Sequence, residues 1–588
     1  MYDDYLSLAM AGLADSISMD HTTQQATQDF DHALRLQQQG HYAEAAVIFE
    51  RLLHNDPKRM VVWGYLALAY LETNRGQLAL DTLDKALRFA PKEINLYMQR
   101  AYVCKCLHQP EQAIIHYQQA LALNPQYAKA HNNLAGEYAA TNQYQLALQH
   151  YRHALHADPG LVPAHFNLGL LLLQRGEWAA AETQFRNVIA LDPENGIPYF
   201  YLGTLYLEMG QLEEAETAFR MLLSKEPEHV EGWVNRGVVA LKQKQEQTAI
   251  DYFTQALILD NDHREARNNM AATLIHFDRY EPALEYYAGL LREEPKNLEY
   301  LYNSGVAQMG LGRIQIAQEL FQNVLREERR HFGALSNLAA IHLRLGNRPS
   351  ACELLEQALA VQPHDAASRF MLQALRGEHQ APAACPEYAQ DLFNHYAIHY
   401  DKHMQDVLEY GIPRRLWQLF HQNEVHTYDH VLDLGCGTGL SGMVLRPISR
   451  HLTGVDLAAK MLAVARGKGI YDELVESELL AFLQQSTGHY DLVVAADVLP
   501  YLGDLAPLLQ AMQARLTPAG VFWFTTEISM TAPWVLQNSM RFCHHAEYIQ
   551  NVCQQYGYLV MHQETVVARK QDEQDLSVNL FGLQVKKG

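Results

Sequence analysis

Residues 125–158 read PQYAKAHNNLAGEYAATNQYQLALQHYRHALHAD, and the pattern restarts at Pro159 as PGLVPAHFNLGLLLLQRGEWAAAETQFRNVIALD. Each stretch holds 34 residues, and that stride organises most of the chain. From Pro57 it meets proline at 91, 125, 159, 193, 227, 295 and 363, with Asn261 and Arg329 as the two exceptions. From Ala45 it meets alanine at all ten positions, ending at Ala351. From Gly40 it meets Asn74, His108, Asn142, Gly176, Gly210, Lys244, Asp278, Gly312 and Gly346, most of which tolerate a left-handed backbone. A fixed period of this kind sets the architecture before any local reading does.

The physical unit follows from the register. Each period holds two amphipathic helices, the Gly/Asn position closing the first and proline ending the second. The alanine marks the place where the two helices approach closely. Shortly after it an aromatic recurs, at Phe49, Tyr117, Tyr151, Phe185, Phe219, Phe253, Tyr287 and Phe321. This resembles a tetratricopeptide-repeat array of about ten repeats, and a last helix near His364–Arg376 would cap its open end. The expected layout is an N-terminal segment over 1–22 without repeat register, the array with its cap over 23–376, and a linker over 377–387. A second domain then fills 388–588.

One more position keeps the stride: Asn133, Asn167, Asn235, Asn269, Asn303 and Asn337, interrupted only by Tyr201. A carboxamide is donor and acceptor together, so a row of them can hold an extended peptide whatever its side chains. The row resembles the asparagine ladder in the repeat arm of O-linked GlcNAc transferases, which grips protein substrates. The alternative is bonding within the repeats themselves, which is ordinary for asparagine.

After Phe420 the pattern changes to short apolar runs alternating with helical stretches, the signature of a largely parallel sheet with helices on both faces. The run Val431-Leu-Asp-Leu-Gly-Cys-Gly-Thr-Gly439 reads as a buried strand entering a glycine turn that lets backbone come close to a ligand. Asp456 falls at the tip of the next strand, where its two oxygens can accept from both hydroxyls of a ribose. Leu516-Thr-Pro-Ala-Gly520 reads as a turn before a late strand.

Together these resemble the class I S-adenosylmethionine-dependent methyltransferases, an α/β Rossmann-like fold. The resemblance implies a cofactor site made of Asp433, Gly435, Cys436, Gly437, Gly439, Asp456 with Leu457, Glu478 with Leu479, and Asp497. Phe393-Asn-His-Tyr-Ala-Ile-His-Tyr-Asp-Lys-His403 resembles the pre-domain helices of a repeat-fused subgroup, and these would lid the cofactor. Ala496-Asp-Val-Leu-Pro-Tyr501 departs from the Asn/Asp-Pro-Pro-Tyr box of adenine-N6 and glutamine-N5 enzymes, which speaks against those chemistries. If the acceptor needs a base, Asp497, Tyr501 and His544 are the candidates, His544 being expected in a helix with His545.

Composition bounds the rest. The 588 residues carry 46 Lys and Arg against 67 Asp and Glu, a net −21, spread as −12 up to Arg376 and −9 beyond it. Such acidity disfavours a nucleic-acid partner and suits a basic polypeptide. Seven scattered cysteines without a C-x-x-C pair fit reduced thiols. The acidic start is unlike a secretory signal, and no long apolar run is present, so a cytoplasmic protein without a membrane span is expected. His395, His399 and His403 share helical spacing, but a straight helix offers only two of them to one ion, so no metal site is expected. The leading expectation is an S-adenosylmethionine-dependent methyltransferase acting on a protein or peptide held in the repeat groove. The alternatives are a small-molecule methyltransferase whose repeats dock partners, and a catalytically silent scaffold.

Overall fold

The computed structural model describes residues 21–377, 383–421, 427–530, 532–571 and 574–586. The expected segment over 1–22 therefore lies almost wholly outside the described residues. Twenty helices, from His21–Gln38 to Arg348–Val361, form ten antiparallel pairs, and an eleven-residue helix, Ala366–Arg376, follows them. It ends on Gly377 at φ 70°, a left-handed stop that glycine adopts without strain.

Each stride has a structural job. All ten positions in the Gly40–Gly346 series have positive φ, including His108 at 55° and Lys244 at 59°. The ten alanines from Ala45 to Ala351 are completely buried. The recurring aromatics are buried too, and Leu83 and Leu355 fill the two periods that lack one. A further series keeps the same 34-residue stride: Ala33, Ala67, Ala101, Ala135, Gly169, Gly203, Gly237, Ala271, Gly305 and Ala339. A Cβ on Gly203 would stand 2.6 Å from the Phe219 ring, and one on Gly305 equally close to Phe321, so the small residue makes room for the next helix's aromatic.

The chain divides into two compact units, Met1–Thr273 and Leu274–Gly588. The second unit thus contains the last repeats as well as the α/β domain. Its sheet has the strands β1 (Tyr428–Leu434), β2 (Ser449–Asp456), β3 (Glu473–Glu476), β4 (Tyr490–Ala495), β5 (Leu516–Ile528), β6 (Trp534–Leu536), β7 (Phe542–His544), β8 (Tyr558–Gln571) and β9 (Gln574–Val585). Strands β3-β2-β1-β4-β5 are parallel. β9 lies antiparallel on β5, β8 antiparallel on β9, and the short β6–β7 hairpin touches only the end of β5. Successive side chains alternate between two cores, as a strand's period of two requires. Leu432, Val493 and Ala495 face one core, and Val431, Leu492 and Val494 face the other.

Two local expectations are corrected. Leu516–Gly520 is the first part of β5 and not a separate turn; its pairing with β4 shifts register after Tyr490. Glycine is needed at 520 because a Cβ there would stand 2.8 Å from the Tyr490 carbonyl oxygen. His544 lies on β7 and not in a helix, while His545 caps the helix Ala546–Gln555.

Candidate cofactor and acceptor site

β1 carries Asp433 into the interior and releases the chain into a loop where Gly435, Gly437 and Gly439 have φ of 76°, 54° and 91°. The N–H groups of Gly435 and Cys436 both donate to the Val455 carbonyl, at 2.8 and 3.0 Å, so β2 fixes where the loop begins. A Cβ on Gly435 would stand 2.6 Å from Val498 Cβ, whereas one on Gly437 would meet nothing within 4 Å. The loop is packed at its start and open at its tip.

Asp456, at the end of β2, accepts from Gly437 N at 2.8 Å through one oxygen and from Ala458 N at 2.9 Å through the other. Burial pushes its carboxyl up, and these N–H donors pull the other way. Tyr471, which carried no sequence signal, lies against the loop from below. Its hydroxyl donates to Asp433 Oδ2 at 2.6 Å, and its ring closes the space a Cβ would need at Gly439, Gly442 and Gly454. Glu478 caps the helix Leu479–Gln485 by accepting from Ala481 N at 2.7 Å, and Leu479 is buried in the core behind it.

The helix Pro386–Lys402 is pinned to these loops along its length. Gln390 donates to the Leu457 carbonyl at 3.2 Å, Asn394 accepts from Lys460 N at 3.0 Å, and Asp401 accepts from Thr438 Oγ1 while pairing with Lys468. The Lys460 ammonium in turn pairs with Asp278, the left-handed turn residue of the eighth repeat, at 2.6 Å. His395's side chain lies outside the described residues. Among the described residues no group of three or more His, Cys, Asp or Glu could hold a metal ion.

Beyond β4 the three candidate bases are all engaged. Asp497, at φ 59°, accepts from Arg541 at 2.5 Å through one oxygen and from Arg569 through the other. Arg541 also donates to Glu527 at 2.6 Å and to the Tyr501 hydroxyl at 3.0 Å. Two acids and two guanidinium groups thus form a nearly buried, charge-balanced quartet. His544 is fully buried with Nε2 on the Gly503 carbonyl at 2.9 Å, and burial lowers its pKa to about 4. His544 is thus a buried neutral imidazole held through Nε2 on a backbone carbonyl. Asp497 is likewise held as an ion-paired strut. The chain before this site reaches it as well: Ala383 pairs with Leu502, and Ala384 N donates to the Tyr501 carbonyl at 2.8 Å.

Four of the six asparagines in the row bond to other side chains of the array. Asn303 donates to the Tyr287 hydroxyl at 3.0 Å, Asn337 to Tyr302 at 3.3 Å and Asn167 to Asn132 at 3.1 Å. Asn133 accepts from Asn132 and bonds Tyr117. Asn235 and Asn269 are half-buried, and Tyr201 stacks 5.6 Å from Phe185 in the equivalent place.

Both parts of the chain have counterparts among known proteins. A family described as "Methyltransferase domain" matches residues 432–522, and two families described as "Tetratricopeptide repeat" match segments between 30 and 375. The ubiquinone biosynthesis O-methyltransferase of Histophilus somni is 29% identical over 132 residues, which is 21% of this chain and 56% of that protein. Its counterpart in Bordetella pertussis is 33% identical over 103 residues, 16% of this chain and 42% of that one. The chain therefore spans about half the length of the curated relatives it matches. Among solved structures, YrrB, a TPR protein with an unusual peptide-binding site, is 21% identical with a TM-score of 0.29, covering 32% of this chain and 96% of its own. No helix among the described residues is long and apolar enough to cross a membrane.

Proposed function

We infer, from a chain that belongs to the tetratricopeptide-repeat proteins and carries a methyltransferase domain, that it moves a methyl group from S-adenosylmethionine to a polypeptide delivered by the repeats. The residues fit that cofactor. The open tip at Gly437 admits a ligand against the backbone. Asp456 uses one lone pair of each oxygen on the loop and keeps the others for a ribose diol. Gly435, Cys436, Gly437 and Gly439 would run along the methionine part, Asp456 and Leu457 would hold the ribose, and Glu478 and Leu479 would border the adenine. Asp433 stays behind the loop and braces it through Tyr471.

When bound, the sulfonium supplies a methyl carbon already activated for displacement. The chain's own task is alignment, which can lower such a barrier by about 7–11 kcal/mol at best. Asp497 and Tyr501, held by Arg541 and Arg569, give the acceptor side a fixed wall in place of a free base. An acceptor that sheds its proton to water suits this wall better than one needing a strong base.

The observation that carries the polypeptide reading is the continuity of the last repeats with this wall. Phe370 and Ala374 of the helix that closes the array pack into one apolar cluster with Leu536, Met540 and Phe542, and the same hairpin brings in Arg541. A second reading, methylation of a small molecule, draws on the asparagine bonds between repeats and on relatives named for ubiquinone biosynthesis. Those relatives match over 132 and 103 residues, 21% and 16% of this chain.

Incubation with methyl-labelled S-adenosylmethionine and a methyltransferase-depleted lysate separates the two readings, with Asp456→Ala as control. Label in discrete protein bands, lost in the control, is the expected result. Label only in the soluble fraction would move the assignment to a small molecule.

A further inference from the structure

The hairpin between Trp534 and His544 has obligations on two sides. Toward the repeats, Leu536, Met540 and Phe542 are buried with Phe370 and Ala374, and the Tyr388 ring lies 5.3 Å from Phe370. Toward the sheet, Arg541 reaches Glu527, Asp497 and the Tyr501 hydroxyl. Met540 and Arg541, at adjacent positions, are held apart, the first in the apolar cluster and the second among the buried charges.

The backbone between them is strained. Met540 sits at φ 63°, a left-handed conformation that a long side chain rarely adopts. Asp497, at the far end of the Arg541 guanidinium, sits at φ 59°. Two side-chain-bearing residues in the left-handed region are thus joined through one arginine. Such strain persists only where the surroundings over-determine it. At Met540 those surroundings are the closing helix of the array. At Asp497 they are Arg541, Arg569 and the Thr525 hydroxyl, which accepts from Asp497 N at 2.9 Å.

The geometry points to Arg541 as a positioning residue whose aim is set by the repeat array: Phe370 and Ala374 seat Met540, Met540 directs Arg541, and Arg541 holds Asp497 and Tyr501 in the shape the acceptor meets. This rests on the reading of residues 496–501 as the acceptor wall. It makes the last repeats part of the acceptor site and not only a capture arm. The cofactor loop meets this chain of contacts at Gly435, which packs against Val498, while its tip at Gly437 stays clear of it.

The test uses the full chain with S-adenosylhomocysteine bound and compares Phe370→Leu, Met540→Gly and Arg541→Lys with the parent by amide hydrogen exchange. Lysine keeps the charge but cannot bridge three acceptors as the guanidinium fork does. The expected result is exchange at least tenfold faster across 496–502 in all three, with residues 437–439 within twofold of the parent. Methyl transfer to polypeptide should fall at least tenfold. Unchanged exchange at 496–502 in variants that keep their melting profile overturns the inference, as does loosening spread equally over the glycine loop, or parent-like exchange at 496–502 in Arg541→Lys. If Met540→Gly does not fold, the milder Phe370→Leu decides. If even the parent transfers no label to protein, the polypeptide reading has failed, while the exchange comparison still decides whether the array sets the wall.

Discussion

Asp433 is a single carboxyl on which the glycine loop leans, and its environment has a measurable consequence. Burial pushes its pKa up to about 7, against the opposing pull of the Tyr471 hydrogen bond. Between the ordinary carboxylate range and about 7, the folded chain keeps a proton here that the unfolded chain releases. Rising pH therefore weakens the fold through that window. Asparagine keeps an acceptor for Tyr471 and carries no charge. Asp433→Asn should gain on the parent as pH rises from 5 to 7, at up to about 1.4 kcal/mol per pH unit. Urea unfolding of the second unit at pH 5, 6 and 7 checks this, and a constant difference would contradict it. Asp456→Ala strands the Gly437 and Ala458 N–H groups as well as removing a ribose acceptor, so affinity for S-adenosylhomocysteine should fall by about 1–3 kcal/mol per lost bond. Calorimetric titration reads that directly. The glycines and Asp456 were legible in the sequence because their spacing is itself the geometry. Tyr471 was not, since one aromatic in a loop belongs to no pattern. Nor were the partners of Asp497, because Arg541 and Arg569 follow it by 44 and 72 residues and meet it only through the fold.

The repeat helices were the most legible elements, because one register states the same constraint ten times. The stride even located left-handed residues where the side chain argues against them, as at Lys244. Lys244→Gly relieves that backbone and should stabilise the array by up to about 1 kcal/mol. The neighbouring series makes the opposite prediction. A methyl on Gly203 would stand 2.6 Å from the Phe219 ring, so Gly203→Ala should destabilise by about 1–3 kcal/mol despite alanine's better helix propensity. Denaturant melts of both variants decide between register and propensity, since propensity alone predicts the reverse sign at 203. Different residues also do one job at one stride. Trp63, Tyr97, Trp233 and Arg369 each donate to the carbonyl of the proline six positions earlier. A reading by residue type misses this, because the shared property is a reachable donor and not a shared side chain. β8 and β9 were missed for a related reason: their partners lie in antiparallel pairing with each other and with β5, which local alternation does not announce.

The division of the whole molecule was the least legible feature. A composition shift near residue 377 separates repeats from α/β domain in sequence, and nothing in that shift announces that the last repeats share one compact unit with the α/β domain. Joining the two are the apolar cluster of Phe370, Ala374, Leu536, Met540 and Phe542 and the Ala384–Tyr501 backbone bond. Neither side of that cluster is an unusual run of sequence, so nothing local marks it. A chain beginning at Pro386 would leave Leu536, Met540 and Phe542 without the closing helix, whereas one beginning at Leu298 keeps two repeat pairs and the cap. The shorter chain should be less stable by about 3–5 kcal/mol, the cost of removing one large aromatic from a packed cluster. Urea unfolding followed through S-adenosylhomocysteine binding makes the comparison on the domain that both chains share. Equal midpoints would mean that the α/β domain holds its hairpin without the repeats. A lower midpoint for the shorter chain would make the closing helix part of the folded unit that carries the chemistry.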